Sequence, residues 1–255
     1  MDTAALTHFL TIYVLVMFRI AAMMIFAPLL GSGVIPRRVK ALLAAVLAMS
    51  IARGLTPPAI PVDSLPMLAV GIAGEITFGL LMGMILSLVF IAVQWAGEVV
   101  GQQMGLNLAE TFDPQYGNQG SIVGNLYFML TLVIFISVSG HRAMIMGIRG
   151  SFDALPLLSV GITLNLLDLF LRLFEAATEI ALQLAAPVLV TLLVVDLALG
   201  FIGKTMPQLN VMSAGLTVRS LVGMLVLIVG ISLSSTVIRG ALYVDMKAVF
   251  LTYGK

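Results

Sequence analysis

Charged residues and cysteine are scarce in this chain. Only 10% of its 255 residues are charged, whereas 60% are hydrophobic; a soluble domain carries roughly 25% charged residues. The composition therefore argues against a water-soluble protein. The formal net charge of +1 provides no basic face for nucleic acid. Because the chain contains no cysteine, disulfides, cysteine-ligated zinc and iron–sulfur clusters are excluded as well.

Catalytic and metal-binding patterns are also missing from the sequence. His8 and His141 lie far apart and have no acidic companions at the spacing of metal ligands. The stretch ALGFIGKT, residues 198–205, fits a loose phosphate-loop pattern, but that motif requires a preceding strand and a helix that opens at the lysine. An apolar helix is predicted before it instead, and Pro207 follows closely. We predict no cofactor, no metal ion, no catalytic residue and no enzymatic activity.

Long apolar runs dominate what is present, and the mean hydropathy is +1.14. A bilayer offers no water to backbone groups, so apolar segments that span it form helices or closed barrels. The runs are continuous rather than alternating, which favours helices. The sequence therefore predicts an all-α, polytopic integral membrane protein. Its first residues include an acid and lack a basic region, so they are expected to form a retained first helix.

Apolar periodicity predicts about six long helical regions, some of them kinked. They fall at residues 5–30, 39–51, 66–109, 121–139, 164–201 and 211–238. The third region would reach roughly 65 Å as one helix, about twice the hydrocarbon thickness of a bilayer. We expect it to bend or to project beyond the membrane.

Basic residues do not define a membrane topology. Arg37, Arg38 and Lys40 mark one predicted loop, and Arg142 and Arg149 mark another that simple alternation places on the opposite side. Basic residues normally concentrate on the cytoplasmic side. Either this bias of basic residues does not hold for this short chain, or the helices do not cross the bilayer in simple up-and-down alternation.

Several charges lie where lipid would be expected. A stripe at spacings of four, three, four and four occupies one face of the fifth region: Asp168, Arg172, Glu175, Glu179 and Gln183. Such a face requires water, local ion pairs or a partner chain, since charges in hydrocarbon cost several kcal/mol. Isolated charges at Arg19, Glu75 and Asp196 are expected to be buried against partners. We predict subunit-interface roles for Glu75, Asp168, Arg172, Glu175, Glu179 and Asp196.

Glycines recur at helical spacing in the third region. Gly97, Gly101, Gly105 and Ala109 lie on every fourth position, and Gly79 and Gly83 form a second pair. Such ridges allow the backbones of membrane helices to approach closely. We predict helix packing at Gly79, Gly83, Gly97, Gly101 and Gly105.

A polar stretch interrupts the apolar sequence at residues 101–120, GQQMGLNLAETFDPQYGNQG. Its first part belongs to AGEVVGQQMGLNLAETFDP, residues 96–114. Together with three other stretches and one glycine, in order along the chain, this segment resembles the FliR family of flagellar export proteins and their type III secretion counterparts. The others are FRIAAMMIFAPLLGSGVIPRRVK, GHRAMIMGIRGSFDALP, LAAPVLVTLLVVDLALGFIGKTMPQLNV and the following glycine, Gly215. The resemblance covers nearly the whole of residues 1–255 and implies a single family domain.

The resemblance implies a subunit of the export gate, through which unfolded flagellar proteins are secreted. It also implies assembly with FliP-like and FliQ-like subunits into a helical hetero-oligomer, association with an FlhB-like subunit, and a location in the bacterial inner membrane within the flagellar basal body. Family members plug the pore with a loop. The matching residues are Met104, Gly105, Leu106, Asn107, Leu108, Glu110, Phe112, Asp113, Pro114 and Gly117.

The composition of that loop suits a seal that must reopen. Met104, Leu106 and other apolar residues can close a pore, while its acids prevent it from sinking into lipid. Asp113 followed by Pro114 favours a turn over continued helix. Three alternatives remain open: the stretch is an ordinary surface loop, the chain is a structural anchor without a mobile plug, or it is a secondary transporter for ions or small molecules with Glu75 at a broken helix.

Overall fold

Seven helices account for almost all of the described chain. The computed structural model describes residues 3–31, 33, 35–55, 65–107, 121–158, 164–206, 208 and 211–253. In chain order the helices are α1 (Thr3–Phe26), α2 (Arg37–Ala52), α3 (Leu65–Gln103), α4 (Ile122–Ser137), α5 (Gly140–Ala154), α6 (Leu164–Thr205) and α7 (Val211–Tyr253). No strand occurs among these residues.

Four of the described helices are long and apolar enough to cross a membrane. The candidate spans are Thr7–Phe26, Pro66–Gln103, Leu167–Thr205 and Ser213–Val244. The helices α4 and α5 are long and apolar enough to cross a membrane only when the two are taken together as one span. The prediction of an all-α, polytopic membrane protein is confirmed.

Several helix boundaries differ from the sequence prediction, and one helix was not predicted. The sixth region continues to Tyr253 instead of ending at residue 238. The third region ends at Gln103 rather than Ala109, because a specific turn follows it. Residues 140–154, expected to be a loop because of their glycines and charges, form α5. Met144, Ile148 and Phe152 recur every fourth residue on its buried face, and this apolar stripe outweighs the glycines between them.

One compact unit comprises residues 1–88, 139–174 and 243–255. In it α1 packs on α2 through small buried residues of α2, Ala44, Ala48 and Ala52. Apolar residues of α1 are fully buried at Leu15, Val16 and Ile20. This unit therefore combines close helix packing at small residues with buried aliphatic side chains.

A second compact unit comprises residues 89–138 and 175–242. Phe90 packs edge-to-face on Phe128 and Phe135, with ring centroids 5.9 and 5.5 Å away. Val93 and Leu192 are completely buried in it. This unit contains the described part of the polar stretch. That residues 1–255 function as a single family domain stays a prediction.

Candidate functional site

The polar stretch begins where α3 ends in a Schellman turn. Gly105 has a φ of 77°, a left-handed conformation that glycine adopts without steric cost. The Leu106 N–H donates to the carbonyl of Gly101 at 3.0 Å, and the Gly105 N–H donates to that of Gln102 at 3.0 Å. These two bonds define the motif. Gly105 therefore terminates the helix, and its predicted place in a continuing helical ridge is corrected.

Met104 fixes that turn to α7. Its side chain is completely buried and lies directly over Gly223, where an added Cβ would meet the Met104 Cγ, Sδ and Cε at 2.6, 2.8 and 2.9 Å. The Ser220 hydroxyl donates to the Met104 carbonyl at 2.9 Å. The first residue of the predicted plug is thus held by packing and by a hydrogen bond.

The next two plug residues leave this anchor. Leu106 and Asn107 are half-buried, and the Asn107 Oδ1 lies 3.1 Å from the position of a Cβ on Gly101. The remaining predicted plug residues, Leu108, Glu110, Phe112, Asp113, Pro114 and Gly117, lie outside the described residues. Their assignment stays a prediction.

Ser121, the first described residue after the polar stretch, lies beside the end of α3. Ser121 caps α4, accepting a hydrogen bond from the Gly124 N–H at 3.3 Å. A Cβ on Gly101 would lie 2.5 Å from the Ser121 Oγ, and a Cβ on Gly97 would lie 2.7 Å from the Cα of Gly124. Only glycine allows the end of α3 and the start of α4 to come this close. Both ends of the polar stretch are therefore held side by side.

The other glycine pair lies against α1. A Cβ on Gly79 would overlap the carbonyl oxygen of Arg19, and a Cβ on Gly83 would overlap that of Met23. The two glycines, one helical turn apart, form a groove in α3 that receives the α1 backbone. Small residues serve this purpose in membrane helices.

Arg19 and Glu75 form an ion pair that is 95% or more buried. The Arg19 Nε donates to the Glu75 carboxylate, and its two terminal nitrogens donate to the carbonyl of Leu155 at 3.2 Å. One of them also donates to the carbonyl of Ser151 at 3.2 Å. The second Glu75 oxygen accepts the Leu158 N–H at 3.2 Å. The pair thus ties α1 and α3 to the end of α5.

Two aromatic rings enclose the Arg19 guanidinium. Its central carbon lies 4.7 Å from the ring centroid of Phe78 and 4.2 Å from that of Phe152. Cation–π attraction of this kind strengthens when water is excluded. The glutamate that was predicted to face a partner subunit has its charge balanced within this chain.

The remaining predicted interface charges are more exposed. Asp196 and Arg219 form an ion pair at 2.5 Å, although without hydrogen-bond geometry. Asp168 and Arg172 form an i,i+4 pair at 3.0 Å, with 62% and 76% of their side chains exposed. Glu179 accepts a hydrogen bond from Gln183 at 3.1 Å, and Glu175 is exposed. Interface roles for Asp168, Arg172, Glu175 and Glu179 stay a prediction.

Sequence reasoning missed the partners of these residues. Arg19 and Glu75 are 56 positions apart, and each stood as an isolated charge in an apolar run. Two lone charges of opposite sign in separate membrane helices are a signal for pairing. Gly223 and Ser220 were not singled out either, because nothing local distinguishes them from other small residues of α7.

These features together define a membrane protein with a polar stretch between two apolar helices, in which the end of the first helix and the start of the second are held side by side. Comparison with known proteins identifies the family. Residues 10–243 match the family of bacterial export proteins, family 1. The FliR flagellar biosynthetic protein of Bacillus subtilis is 32% identical over 231 residues, covering 89% of this chain and 88% of the relative. The FliR protein of Escherichia coli is 32% identical, covering 84% and 82%.

A relative with a different name also matches. The surface presentation of antigens protein SpaR of Shigella flexneri is 27% identical over 84% of this chain and 82% of its own length. The chain belongs to the FliR family of bacterial export proteins. The resemblance found in the sequence is confirmed, and the protein is a subunit of the flagellar export apparatus.

Proposed function

We propose that this chain helps to form the pore of the type III export gate and closes it between export events. The polar stretch at residues 104–117 acts as the plug. Two features support this role: Met104 at its start is anchored, with Ser121, the first described residue after it, held beside the end of α3, and the stretch combines apolar residues with acids. The proposed substrates are unfolded flagellar proteins, which cross the gate transiently.

The exposed apolar surface of α6 carries the proposal that other subunits cover the chain. Only 17% of its candidate span is buried. Large exposed apolar residues continue from Leu167, which is 49% exposed, to Ile202, which is 43% exposed. At 1.5 Å per residue they extend over roughly 50 Å of helix, whereas the hydrocarbon core of a bilayer is about 30 Å thick. Lipid alone is too thin to cover this surface.

The covering chains are, on this proposal, FliP-like and FliQ-like subunits, with an FlhB-like subunit associated. The exposed ion pair of Asp168 and Arg172 lies on the same helix as the apolar surface. Mixed charged and apolar surface suits protein partners better than lipid, because lipid tails satisfy no charge. The complex would lie in the bacterial inner membrane, within the flagellar basal body.

No catalytic step is assigned to this chain. Other parts of the export apparatus would drive the movement of substrate, and this chain would form part of the pore wall and close the pore. The alternative of a small-molecule or ion transporter required Glu75 at a substrate site. Glu75 is instead fully occupied by Arg19 and the Leu158 N–H, so the alternative loses the residue on which it rested.

Co-purification tests the proposal directly. Gentle detergent extraction of the natively expressed protein is expected to yield a hetero-oligomer that contains FliP-like and FliQ-like chains, identified by mass spectrometry. The physical reason is the uncovered apolar length of α6. A stable, monodisperse monomer that transports a solute in liposomes would contradict the proposal and favour the transporter.

Reversing the charge of Arg172 tests whether the acidic stripe faces a partner. Arg172→Glu would place another acid beside Asp168 and Glu175 and is expected to lower the yield of the complex. If the pair is covered by a partner, its disruption costs about 3–5 kcal/mol; if it is solvated, the cost is about 0–1 kcal/mol. Leu171→Ala, at a neighbouring position 56% exposed, is the matched control. Equal yields of the complex from wild type and Arg172→Glu would assign the stripe to solvent.

A further inference from the structure

We infer that Asp196 and Arg219 form a docking point on the exposed apolar surface of α6 and α7, and that a membrane helix of a different subunit covers it with uncharged hydrogen-bond acceptors. The inference rests on the proposed assembly with other subunits, and adds to it the place and the chemistry of one contact. Both residues belong to the same compact unit.

The pair lies well inside two apolar helices. Because α6 ends at Thr205 and α7 begins at Val211, Asp196 and Arg219 lie roughly 12–14 Å from the near ends of their helices at 1.5 Å per residue. Only 17% of the candidate membrane span in each helix is buried within this chain. Charged side chains at such positions are costly in lipid, and they normally face protein, another charge or water.

Arg219 has donors that this chain does not use. Its Nε lies 2.5 Å from the Asp196 Oδ1, and 39% of its side chain is exposed. The two terminal nitrogens form no hydrogen bond with any of the described residues. A guanidinium carries five N–H donors and no acceptor. The covering molecule must therefore supply acceptors, and uncharged acceptors leave the charges of the pair balanced.

Lipid does not fit this requirement. An arginine that faces lipid extends along its helix to bring its charge to the membrane surface. Arg219 is held sideways against α6 by Asp196 instead, beside the exposed apolar side chains of Leu193 and Leu197. Lipid tails carry no acceptor, whereas a protein helix offers hydroxyl, amide or main-chain carbonyl oxygens at the same depth.

The surface also has room for a second helix. On one side of the pair α6 and α7 pack closely, since a Cβ on Gly215 would lie 3.4 Å from the Leu199 Cδ1. Gly200, one turn after Asp196, is exposed, and a Cβ on it would meet no atom within 4 Å. Small residues allow the backbone of another membrane helix to approach closely. Gly200 therefore leaves a notch that brings a partner backbone near the free donors.

Arg219→Lys separates these donors from the ion pair. Lysine keeps a positive charge beside Asp196 but has a compact ammonium group in place of the forked guanidinium. The amount of chain in the membrane is expected to match the wild type, while its association with the other subunits weakens about tenfold, the effect of losing one hydrogen bond to a charged group. The measurement is the fraction of the chain that co-purifies with them. An unchanged fraction would overturn the inference.

Exchanging the two residues is the matched control. Asp196→Arg with Arg219→Asp keeps a neutral ion pair between α6 and α7 but moves the guanidinium to the other helix. The exchange is expected to keep the chain in the membrane without restoring the yield of the complex. If both are restored to the wild-type level, the pair serves only the fold of this chain.

Filling the notch tests the approach of the second helix. Gly200→Leu has room within the chain, so it is expected to leave the chain intact and to lower the yield of the complex. Gly230→Leu, at another α7 position where a Cβ would meet no atom within 4 Å, is the control for a leucine added to a long helix. A complex yield with Gly200→Leu equal to that of the wild type would contradict the docking point.

A photo-reactive leucine analogue at Leu197 identifies the covering molecule in the assembled complex. The expected adduct is with a membrane helix of a different subunit, located by mass spectrometry. An adduct with phospholipid, or with a second copy of this chain, would overturn the inference. A wild-type chain that yields no hetero-oligomer would instead remove the proposed function, and this docking point with it.

Discussion

Glu75→Leu is expected to leave little of this protein folded in the membrane. The change would strand the Arg19 guanidinium, which is 95% buried as a side chain, between two aromatic rings without a counter-charge. Removing one partner of a buried ion pair costs about 3–5 kcal/mol, a large share of the 5–15 kcal/mol that typically stabilises a domain. The measurement is the amount of protein extracted in folded form, together with its thermal unfolding midpoint in detergent.

Removing both charges provides the control. Arg19→Leu with Glu75→Leu is expected to recover most of the loss, because no unpaired charge then remains buried. Recovery should stop short of the wild type, since the carbonyl of Leu155 and the Leu158 N–H lose their partners. In the isolated chain, where the pair of Asp168 and Arg172 is exposed, Asp168→Leu should cost about 0–1 kcal/mol. If Glu75→Leu is tolerated as well as Asp168→Leu, the buried pair does not stabilise the fold as described.

Deleting residues 106–112 is expected to make the resting membrane leaky while the complex still assembles. The deletion starts after Met104 and Gly105, so the Schellman turn can no longer lead into a complete plug. The seats of its two ends, at Gly101 and Ser121, remain intact. Conductance, or uptake of a small impermeant solute, should rise in cells that express the deletion, and the yield of the purified complex should match that of the wild type.

A deletion of equal length in the loop between α2 and α3 is the matched control, because it shortens the chain elsewhere. It is expected to leave the membrane tight. A tight membrane with the 106–112 deletion, in a complex of normal yield, would assign the stretch to an ordinary connecting loop rather than to a closure.

The helices could be predicted from the sequence because apolar length is a strong local signal. The predicted regions at residues 164–201 and 211–238 are too long and too apolar to be anything but helices in a bilayer. The helix at residues 140–154 was missed because its glycines and arginines imitate a loop. The burial of Met144, Ile148 and Phe152 shows why residues 140–154 form a helix. Burial depends on the folded chain and could not be read from the sequence.

The site was predictable in part for a similar reason. The polar stretch is conspicuous in its apolar surroundings. Gly105 was predicted to continue the glycine ridge, and its left-handed φ in the structure shows that it ends the helix instead. The seat of Met104 could not be predicted, since the two positions are 119 residues apart in the chain and Gly223 is one small residue among many. The same holds for Arg19 and Glu75, whose pairing depends on how α1 packs against the groove of Gly79 and Gly83.

Two close contacts tether the ends of the polar stretch: Gly97 lies against Gly124, and Gly101 lies against Ser121. These contacts are set by glycines in the helices. Once the ends of a segment are fixed together, each doubling of its length costs only about 0.6 kcal/mol. A change in the number of residues between the tethers is therefore expected to cost little free energy, as long as the glycines that hold its two ends are kept.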